Sequence, residues 1–491
     1  MILAVDIGGD RRSYGFSLIM NNVKAKYGII DYVPNKELSK IDVSRYPIIL
    51  YCFMFVENYL HLIPSMKKMG LELDASKRPQ IIIAGGSPIS ENPEPIADFI
   101  DVAIIGEGEW AIIEVIDIII KHKGEKTSSL HEIYETVDCA YVPCFYSPRY
   151  NDRERVISDT GRIVPIRRED PSKTINIPGF YTRKKKGENR LVEYSVEYHR
   201  GCKRKCKFCS YSHLQSPYRE IDKDVLQKQI DEIIAKDRIP GNKIILLQTN
   251  LFHVNLDVLQ MLKVYDKLPN YSSACYADMF SRRGRKILKF IQSSGNMYMR
   301  FGIEDFTEEG RARIGKPAPD WMLINLPFLF SDRGYTIKFF FISSLPWQTV
   351  EQIHQFESVM LEMSKKLSYY ITIDCFVTVL NYKLNTDLLE YEKKFNKEVY
   401  KYLKHGIRRR YGKLQLKIYK NQDEWGFLET NILSLGNRKI GKVLVDISSK
   451  RYDRKTFVDK AYRVSNIDGL LLPYKKDEKL PNWYIDYKKK N

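Results

Sequence analysis

The sequence predicts an α/β protein with an N-terminal doubly wound domain, a partial (β/α)6 barrel and a basic C-terminal α+β region. Two stretches predict the first two parts, because short apolar runs alternate there with helical spacing, as is typical of parallel sheets covered by helices. Charge marks the third part. Residues 381–491 hold 27 Lys and Arg against 14 Asp and Glu, which is +13 of the formal net charge of +18.

The N-terminal domain is predicted to span residues 1–125. Its strand candidates are residues 2–7, 28–33, 48–55, 80–84 and 101–105, with helical spacing over 59–69 and 110–120. Glycines follow two of these strands: Gly85, Gly86, Gly106 and Gly108. Ligands of doubly wound sheets bind at the carboxyl ends of strands, where glycine lets the backbone approach closely. These glycines therefore indicate a ligand site, with a plain turn as the alternative.

The rest of the chain divides into three parts. Residues 126–190 are rich in proline and are predicted to form an extended linker. Residues 191–380 contain six strand-helix repeats, which can curve into a partial barrel, whereas a full barrel of this type needs eight. The predicted strands are residues 192–199, 243–248, 272–277, 297–303, 336–342 and 370–379. Residues 381–491 begin with a helical pattern over 388–403 and are otherwise irregular.

Composition narrows the class of protein. Hydrophobic residues make up 44% of the chain, which is typical of a globular protein. Eight cysteines in 491 residues are too few for a disulfide scaffold. The N-terminus does not resemble a signal peptide, and the longest apolar run is too short to span a bilayer. We expect a cytoplasmic protein without membrane association. The basic C-terminal region fits a polyanionic substrate or partner, or simply a lysine-rich surface.

The strongest chemical signal is the spacing of Cys202, Cys206 and Cys209 on a loop directly after a predicted strand. Three thiolates can hold three irons of a cubane cluster and leave the fourth iron open. Basic residues lie between these cysteines and are expected to lower the thiol pKa values. A zinc site is the alternative, with a fourth ligand from His199, His213 or a distant cysteine.

The Cys-x3-Cys-x2-Cys spacing, with Phe208 before the third cysteine, resembles the motif of the radical S-adenosylmethionine (SAM) superfamily. The resemblance implies a [4Fe–4S] cluster whose open iron binds SAM. It also implies reductive cleavage of SAM to a 5′-deoxyadenosyl radical, with an electron donor such as flavodoxin or ferredoxin. By position, it implies SAM contacts at five residues: Phe208, Gln248, Asn250, Glu304 and Ser343.

The order of domains resembles radical SAM proteins with an N-terminal cobalamin (B12)-binding domain of Rossmann-like fold. The matching segments are Gly85–Pro88, Pro93–Pro95, Asp101 and Gly106–Glu109, and 433–440 resembles a Gly-Asp-Arg-Arg element of related proteins. This resemblance implies that Gly85, Gly86, Gly106 and Gly108 line a cobalamin site. It further implies methyl transfer through cobalamin to an unactivated carbon or phosphorus centre.

Several alternatives remain at this stage. The segment Asp6–Arg11 lacks the histidine of one class of cobalamin proteins, and the strand end Cys52–Phe55 is bulky beside a corrin tail. The domain could therefore be a relic that binds no cobalamin. The chain could instead be a cobalamin-independent radical SAM enzyme acting on RNA or another macromolecule. A zinc-stabilised nucleic-acid-binding protein is the non-enzymatic alternative. The substrate and the oligomeric state do not follow from the sequence.

Overall fold

A six-stranded sheet forms the N-terminal domain in the computed structural model of the chain. The structure describes residues 1–7, 13–28, 30–173, 179–183, 191–236, 243–247, 249–264, 276–293, 298–330, 336–384, 386–420, 422–448, 451–475, 478 and 481. The strands are β1 Ile2–Asp6, β2 Asp31–Pro34, β3 Ile48–Cys52, β4 Ile81–Gly85, β5 Val102–Ile104 and β6 Ala140–Tyr141. Their order is β2-β1-β3-β4-β5-β6, and only β6 is antiparallel to its neighbour. The strand order reverses between β1 and β3, which places a ligand-binding crevice at their carboxyl ends.

Helices cover both faces of this sheet. The first five helices are α1 Tyr14–Tyr27, α2 Tyr59–Lys68, α3 Ser87–Glu91, α4 Ala111–Lys121 and α5 Lys126–Thr136. On one face, Ile48, Leu50 and Ile83 share a core with α4 and α5. On the other face, Leu3, Ile49 and Ile82 share a core with α2. The alternating sides of each strand therefore both meet apolar helix surfaces, as the near-continuous apolar runs predict.

The second domain is a curved, incomplete barrel. After the short pair β7 Arg149–Tyr150 and β8 Val156–Ser158, the strands are β9 Gly179–Arg183, β10 Leu191–Glu197, β11 His199–Arg200, β12 Arg219–Glu220, β13 Lys243–Leu247, β14 Tyr298–Glu304, β15 Thr336–Ser343, β16 Ile371–Val379, β17 Arg410–Tyr411 and β18 Leu414–Lys420. Strands β10 and β13 are parallel, and so are β14, β15, β16 and β18. The predicted strand 272–277 falls mostly outside the described residues. Strand β18 adds to the barrel sheet a parallel strand that the sequence did not predict.

The remaining helices pack around the barrel or form the C-terminal region. They are α6 Ser210–Leu214, α7 Lys223–Lys236, α8 Leu256–Val264, α9 Arg282–Ser293, α10 Glu308–Arg313, α11 Asp320–Asn325, α12 Val350–Lys365, α13 Lys397–Lys401, α14 Glu424–Leu435, α15 Lys439–Ile447, α16 Arg454–Val464 and α17 Ile467–Leu471. Phe341 of β15 packs against Phe356 of α12, so this side of the sheet is the helix-covered side. The opposite side faces the barrel interior.

These elements confirm the predicted fold class: a doubly wound domain, a partial barrel and a C-terminal α+β region. Two local predictions are wrong. Residues 126–136 form α5 rather than an extended linker, because Leu130 and Ile133 are buried one turn apart. The helical pattern over 388–403 is helical only from Lys397, where α13 begins and a π-helical turn over Tyr402–Gly406 continues it, since Lys393 is buried among three backbone carbonyls that it binds and Asn396 caps the helix. Within the described ranges, no helix is long and apolar enough to cross a membrane.

The C-terminal helices complete the core of the N-terminal domain. Phe427 of α14, Val443 of α15 and Phe457 of α16 are buried in the same core as β1, β3 and α2. Helix α15 comes so close to residues 94–99 that a Cβ at Gly441 would lie 3.1 Å from the Phe99 ring. Part of the basic C-terminal region thus has a packing role.

A buried network of polar side chains joins the C-terminal region to the N-terminal domain. Arg438 donates hydrogen bonds to Glu94 over 3.2 Å and to the Tyr141 hydroxyl over 2.7 Å. The Tyr150 hydroxyl donates a further hydrogen bond to the Glu94 carboxylate over 2.9 Å. The Glu94 side chain is only 3% exposed, so Arg438 supplies the charge that compensates a buried carboxylate.

We expect Arg438→Met to lower the free energy of unfolding by about 3–5 kcal/mol, because it leaves Glu94 buried without its cation. Lys442→Met is the matched control, since Lys442 is exposed on the same helix α15. Urea denaturation followed by circular dichroism measures both variants. Equal midpoints for Arg438→Met and Lys442→Met would show that the network does not hold the two regions together.

Candidate active site

The three predicted cluster ligands lie on one loop at the mouth of the barrel. Cys202 and Cys206 follow β11, and Cys209 directly precedes α6. The loop turns tightly at its end, where the Cys209 N–H donates to the Cys206 carbonyl over 3.0 Å. The Cys206 thiol interacts electrostatically with those of Cys202 and Cys209. Cys206 is buried, and the other two cysteines are partly exposed.

The donor set fits an iron–sulfur cluster by its chemistry. Three cysteine thiols on one loop match the ligands of a cubane cluster with one open iron. In the part of the chain that the structure describes, no group of three or more His, Cys, Asp or Glu side chains is arranged to hold a metal ion, either at the cysteine loop or elsewhere. The ligand role of Cys202, Cys206 and Cys209 therefore stays a prediction from spacing and donor chemistry.

The expected lowering of the thiol pKa values by neighbouring basic residues is wrong for two of the three cysteines. Burial raises the pKa of Cys206 to about 12 and also raises the pKa of Cys209. The interleaved cations have other partners: Lys203 lies 3.5 Å from Glu220, and Arg204 lies 2.6 Å from Asp278. The cation that opposes the rise at Cys206 is Lys316, which is distant in sequence.

Close backbone contacts fix the shape of the cysteine loop. Gly201 has a φ of +77°, and a Cβ there would lie 2.5 Å from the Gln215 carbonyl oxygen. On the far side, the Lys207 N–H donates to the Ile314 carbonyl over 3.0 Å. Gly315, next in the chain, has a φ of +75° and lies against the Lys205 carbonyl. The loop is thus held between the segment 215–218 and the turn after α10.

Glu304 ends β14 beside this loop. Its carboxylate accepts a hydrogen bond from Lys316 over 2.8 Å, and both groups interact electrostatically with the Cys206 thiol. Glu304 has a φ of +69°, a conformation that a residue with a Cβ adopts rarely and that is found most often at functional sites. Sequence reasoning found Glu304 but missed Lys316, which reaches the site only because Gly315 turns the chain back toward the cysteines.

The other predicted SAM-binding residues lie in different surroundings. Phe208 is half-buried and packs against the core that contains Ile314 and Leu345. Asn250 is fully buried, and its amide contacts Asp278, the partner of Arg204. This placement gives Asn250 a role in positioning the loop. Ser343 is 2% exposed and donates to the Thr378 carbonyl over 3.2 Å. Gln248 lies outside the described residues. The contacts of these residues with SAM stay predictions.

A second site lies at the carboxyl ends of β3, β4 and β5. A cavity of about 390 Å³ opens there, and its lining includes all four predicted glycines: Gly85, Gly86, Gly106 and Gly108. Two of them permit close backbone approach. A Cβ at Gly86 would lie 2.0 Å from the Phe53 carbonyl oxygen, and one at Gly106 would lie 2.3 Å from that of Arg167. Gly85 has nothing within 4 Å of its Cβ position and so borders open space.

The bulky end of β3 does not fill this cavity. The Phe53 side chain is fully buried and packs edge-on against Tyr59, at 5.4 Å between ring centroids, within the core on the α2 side. Gly8–Arg12, which contain most of the segment that lacks the expected histidine, lie outside the described residues. The cavity is bordered mainly by apolar atoms, as is typical of ligand sites.

The segments on either side of the cysteine loop also line the cavity. Arg200 and Glu197 line it just before the cysteines, and Tyr211, Leu214 and Gln215 line it just after them. The short helix α6 directly follows Cys209 and contributes Tyr211 and Leu214 to the cavity lining. The two predicted cofactor sites are therefore adjacent in space, although more than 90 residues separate Gly108 from Cys202 in the sequence.

Arg200 connects the two domains at this side of the cavity. Its guanidinium lies 3.0 Å from Glu197, 2.9 Å from Glu107 and 2.6 Å from Glu109. All four side chains are nearly buried, with Arg200 5% exposed. Glu107 also binds Arg219. The Gly106–Glu109 turn therefore does more than allow a tight bend, because its two carboxylates hold the segment that carries the cysteines. Sequence reasoning recognised the turn but not this role.

We expect Arg200→Met to lower the free energy of unfolding by about 3–5 kcal/mol, since three buried carboxylates lose their shared cation. Arg282→Met, at an exposed position that starts α9, is the control. Thermal denaturation by calorimetry measures the difference. A change of less than about 0.5 kcal/mol, the range of ordinary surface substitutions, would contradict this role for Arg200.

The fold and the two neighbouring sites define a class of protein: a doubly wound domain with a glycine-lined cavity, joined to a partial barrel with a three-cysteine loop. Family models identify it. The model described as radical SAM proteins, N-terminal, matches residues 37–143, and that of the radical SAM superfamily matches residues 196–356. The chain belongs to the radical SAM superfamily. No curated protein sequence matches it.

Solved structures of similar fold are known at low sequence identity. The radical SAM methyltransferase TsrM from Kitasatospora setae, with tryptophan substrate and a SAM analogue bound, is 12% identical over 79% of this chain and 74% of its own, with a TM-score of 0.53. TsrM has also been solved with cobalamin and a [4Fe–4S] cluster. The cobalamin-dependent SAM radical enzyme OxsB, with aqua-cobalamin and SAM, is 15% identical over 73% of this chain and 51% of its own, with a TM-score of 0.51. The TM-scores show a shared fold at these low sequence identities.

Proposed function

We propose that this radical SAM enzyme is a cobalamin-dependent methyltransferase. The observation that carries the proposal is a shared boundary: the residues that flank the loop with Cys202, Cys206 and Cys209 also line the glycine-lined cavity of the N-terminal domain. A radical generator alone needs only the barrel and its cluster. A second cavity, directly behind the cluster loop, provides room for a methyl carrier next to the site where SAM would bind.

Each cofactor has candidate protein partners. Cys202, Cys206 and Cys209 would hold a [4Fe–4S] cluster, and Gly85, Gly86, Gly106 and Gly108 would border cobalamin. When bound, the cluster supplies the electron that cleaves SAM, and cobalamin carries a methyl group; the protein contributes binding, orientation and exclusion of water. Lys316 is placed to bind an anionic group of SAM, because its ammonium lies beside Cys206 and pairs with Glu304.

The chain's own residues support orientation of both cofactors. Arg200, held by three carboxylates, fixes the start of the cysteine loop against the N-terminal domain. Arg204, held by Asp278, fixes its middle. TsrM and OxsB, whose folds are similar, have been solved with cobalamin bound, which is in line with the proposal. An electron donor such as flavodoxin or ferredoxin would reduce the cluster in the cytoplasm, where thiols stay reduced.

The test uses SAM labelled in its methyl group, with reductant, hydroxocobalamin and a cell extract that supplies the substrate. S-adenosylhomocysteine forms when the methyl group leaves SAM, whereas 5′-deoxyadenosine forms when SAM is cleaved reductively. We expect both products and a labelled acceptor molecule, and we expect S-adenosylhomocysteine to disappear when cobalamin is omitted.

The alternatives give different results in the same assay. Formation of 5′-deoxyadenosine and a modified acceptor, without any S-adenosylhomocysteine, would replace methyl transfer by a cobalamin-independent radical reaction on RNA or another macromolecule. A polyanionic acceptor would bind more weakly as salt rises, since exposed charges of the C-terminal region are screened. Absence of both SAM products would reject a radical SAM activity under these conditions.

A further inference from the structure

The interior face of the barrel sheet carries a row of three stacked aromatic rings. Phe340 of β15, Phe376 of β16 and Tyr419 of β18 are register partners on neighbouring parallel strands. Their ring centroids lie 5.3 Å and 4.9 Å apart, and their planes are tilted by only 19° and 15°. We call these three residues the aromatic ladder.

The ladder faces the barrel interior rather than the helices. The neighbours of Phe340 along β15, Phe339 and Phe341, are buried in the helix-covered core, so Phe340 points to the other side. The same alternation holds for Phe376 between Cys375 and Val377. In β18, Leu416 is buried on the helix side, whereas Tyr419 is 42% exposed. A large aromatic surface is thus left accessible within the barrel.

The ring spacing determines which part of each ring the interior meets. The centroid distances match the spacing of adjacent strands, about 4.8 Å. Two rings that lie side by side in one plane cannot come this close. The rings are therefore stacked face to face, and their edges point toward the interior. Ring edges carry partial positive charge and favour the electron-rich face of another aromatic system. A flat substrate ring lying across the ladder would make such edge-to-face contacts.

A row of charged residues borders the ladder. Arg300, Lys338, Asp374 and Lys417 are register partners across β14, β15, β16 and β18, two residues before the ladder on their strands. Three cations stand against one carboxylate in this row. Lys338 lies 5.4 Å from the Phe376 ring centroid, and Lys417 is exposed. The row gives the interior a positive edge next to its aromatic surface.

The ladder also lies near the proposed SAM site. Gly302 of β14 is the register partner of Phe340, and Glu304 lies two residues further along the strand, beyond a register shift. Two residues along a strand span about 7 Å. A ring bound at the ladder would therefore lie within reach of a group held at Glu304, Lys316 and Cys206.

We propose that the substrate of this enzyme contains a flat, electron-rich aromatic ring with an anionic substituent, a carboxylate or a phosphate, and that the aromatic ladder and Lys417 bind it. This inference rests on the proposed function only in placing the reaction inside the barrel. The ring lies across Phe340, Phe376 and Tyr419, and the anion lies toward the cationic row.

The test is calorimetric titration of the full chain, reconstituted with iron and sulfide and saturated with SAM so that the cofactor site is filled. The probes are indole-3-acetate and 1-naphthyl phosphate. Their controls are neutral indole-3-acetamide and non-aromatic cyclohexaneacetate. We expect at least one aromatic anion to bind, with both controls at least about threefold weaker. Tighter binding of indole-3-acetate would indicate a carboxylate on the substrate, and tighter binding of 1-naphthyl phosphate would indicate a phosphate.

Substitutions then assign the site. Tyr419→Leu is expected to weaken binding about two- to tenfold, and Lys417→Gln to weaken it severalfold at low salt and less at high salt. Tyr370→Leu and Lys413→Gln, at exposed positions flanking the same strands, are the matched controls and should bind normally. Equal binding of cyclohexaneacetate, no effect of Tyr419→Leu, or no binding of either aromatic anion would overturn the inference. Iron content and SAM cleavage, measured on the same samples, report separately on the proposed function.

Discussion

Replacing Cys202, Cys206 and Cys209 together with alanine is expected to abolish iron binding and SAM cleavage. A single lost thiolate weakens a cluster, whereas three lost thiolates remove every protein ligand that the loop offers. Because SAM is cleaved by an electron from the cluster, formation of 5′-deoxyadenosine should fall below detection. Iron analysis and product chromatography after anaerobic reconstitution measure the two effects.

The matched control is Cys144→Ala, which removes an exposed cysteine from the linker between the domains. It should keep a full complement of iron and normal SAM cleavage. The circular dichroism of the triple variant should match that of the wild type, because Cys202 and Cys209 are partly exposed. Full iron content in the triple variant would refute the ligand assignment. Loss of iron in Cys144→Ala would contradict the restriction of the ligands to the three loop cysteines.

Gly85→Leu is expected to abolish cobalamin binding while the protein stays folded. Gly85 lines the cavity, and nothing lies within 4 Å of its Cβ position, so a leucine side chain would extend into the open space without a backbone clash. Four added carbon atoms at the floor of the cavity would occupy volume that a corrin ring needs. Absorbance titration with hydroxocobalamin should show loss of binding by more than about 100-fold, in line with a lost contact surface of several kcal/mol.

Two further variants at this site sharpen the result. Gly85→Ala adds a single methyl group and should weaken cobalamin binding only slightly. Gly86→Ala should instead destabilise the whole domain, because its Cβ would lie 2.0 Å from the Phe53 carbonyl and its φ is +117°. Iron content and 5′-deoxyadenosine formation should survive in Gly85→Leu. Unchanged cobalamin affinity in that variant would place the cofactor elsewhere in the protein.

Strong local patterns in the sequence predicted the fold well. The apolar runs of β1, β3, β4 and β5 and the helical spacing of α2 and α4 each carry enough buried residues to identify the element. Weak patterns failed. Helix α5 is largely polar on its surface, so its buried Leu130 and Ile133 gave too little signal. Strand β18 alternates buried and exposed residues within a region dominated by lysine and arginine.

The candidate site was predictable where residues are close in sequence and not where the fold brings them together. The cysteine spacing and the four glycines are local patterns, and the structure places the glycines around one cavity. The contact of Lys316 with Glu304 depends on the turn at Gly315, and that of Arg200 with Glu107 depends on how two domains meet. The aromatic ladder depends on the register of three strands, which no single segment encodes.

The central claim is that two separate cofactor sites lie next to each other, one at the cysteine loop and one at the glycine-lined cavity. The most direct measurement is the iron and cobalamin content of three anaerobically reconstituted proteins: the wild type, the triple cysteine variant and Gly85→Leu. The account predicts that the wild type holds both cofactors, that the triple variant loses iron and keeps cobalamin, and that Gly85→Leu loses cobalamin and keeps iron. A wild-type protein that binds its cluster but takes up no cobalamin at saturating concentration would contradict it.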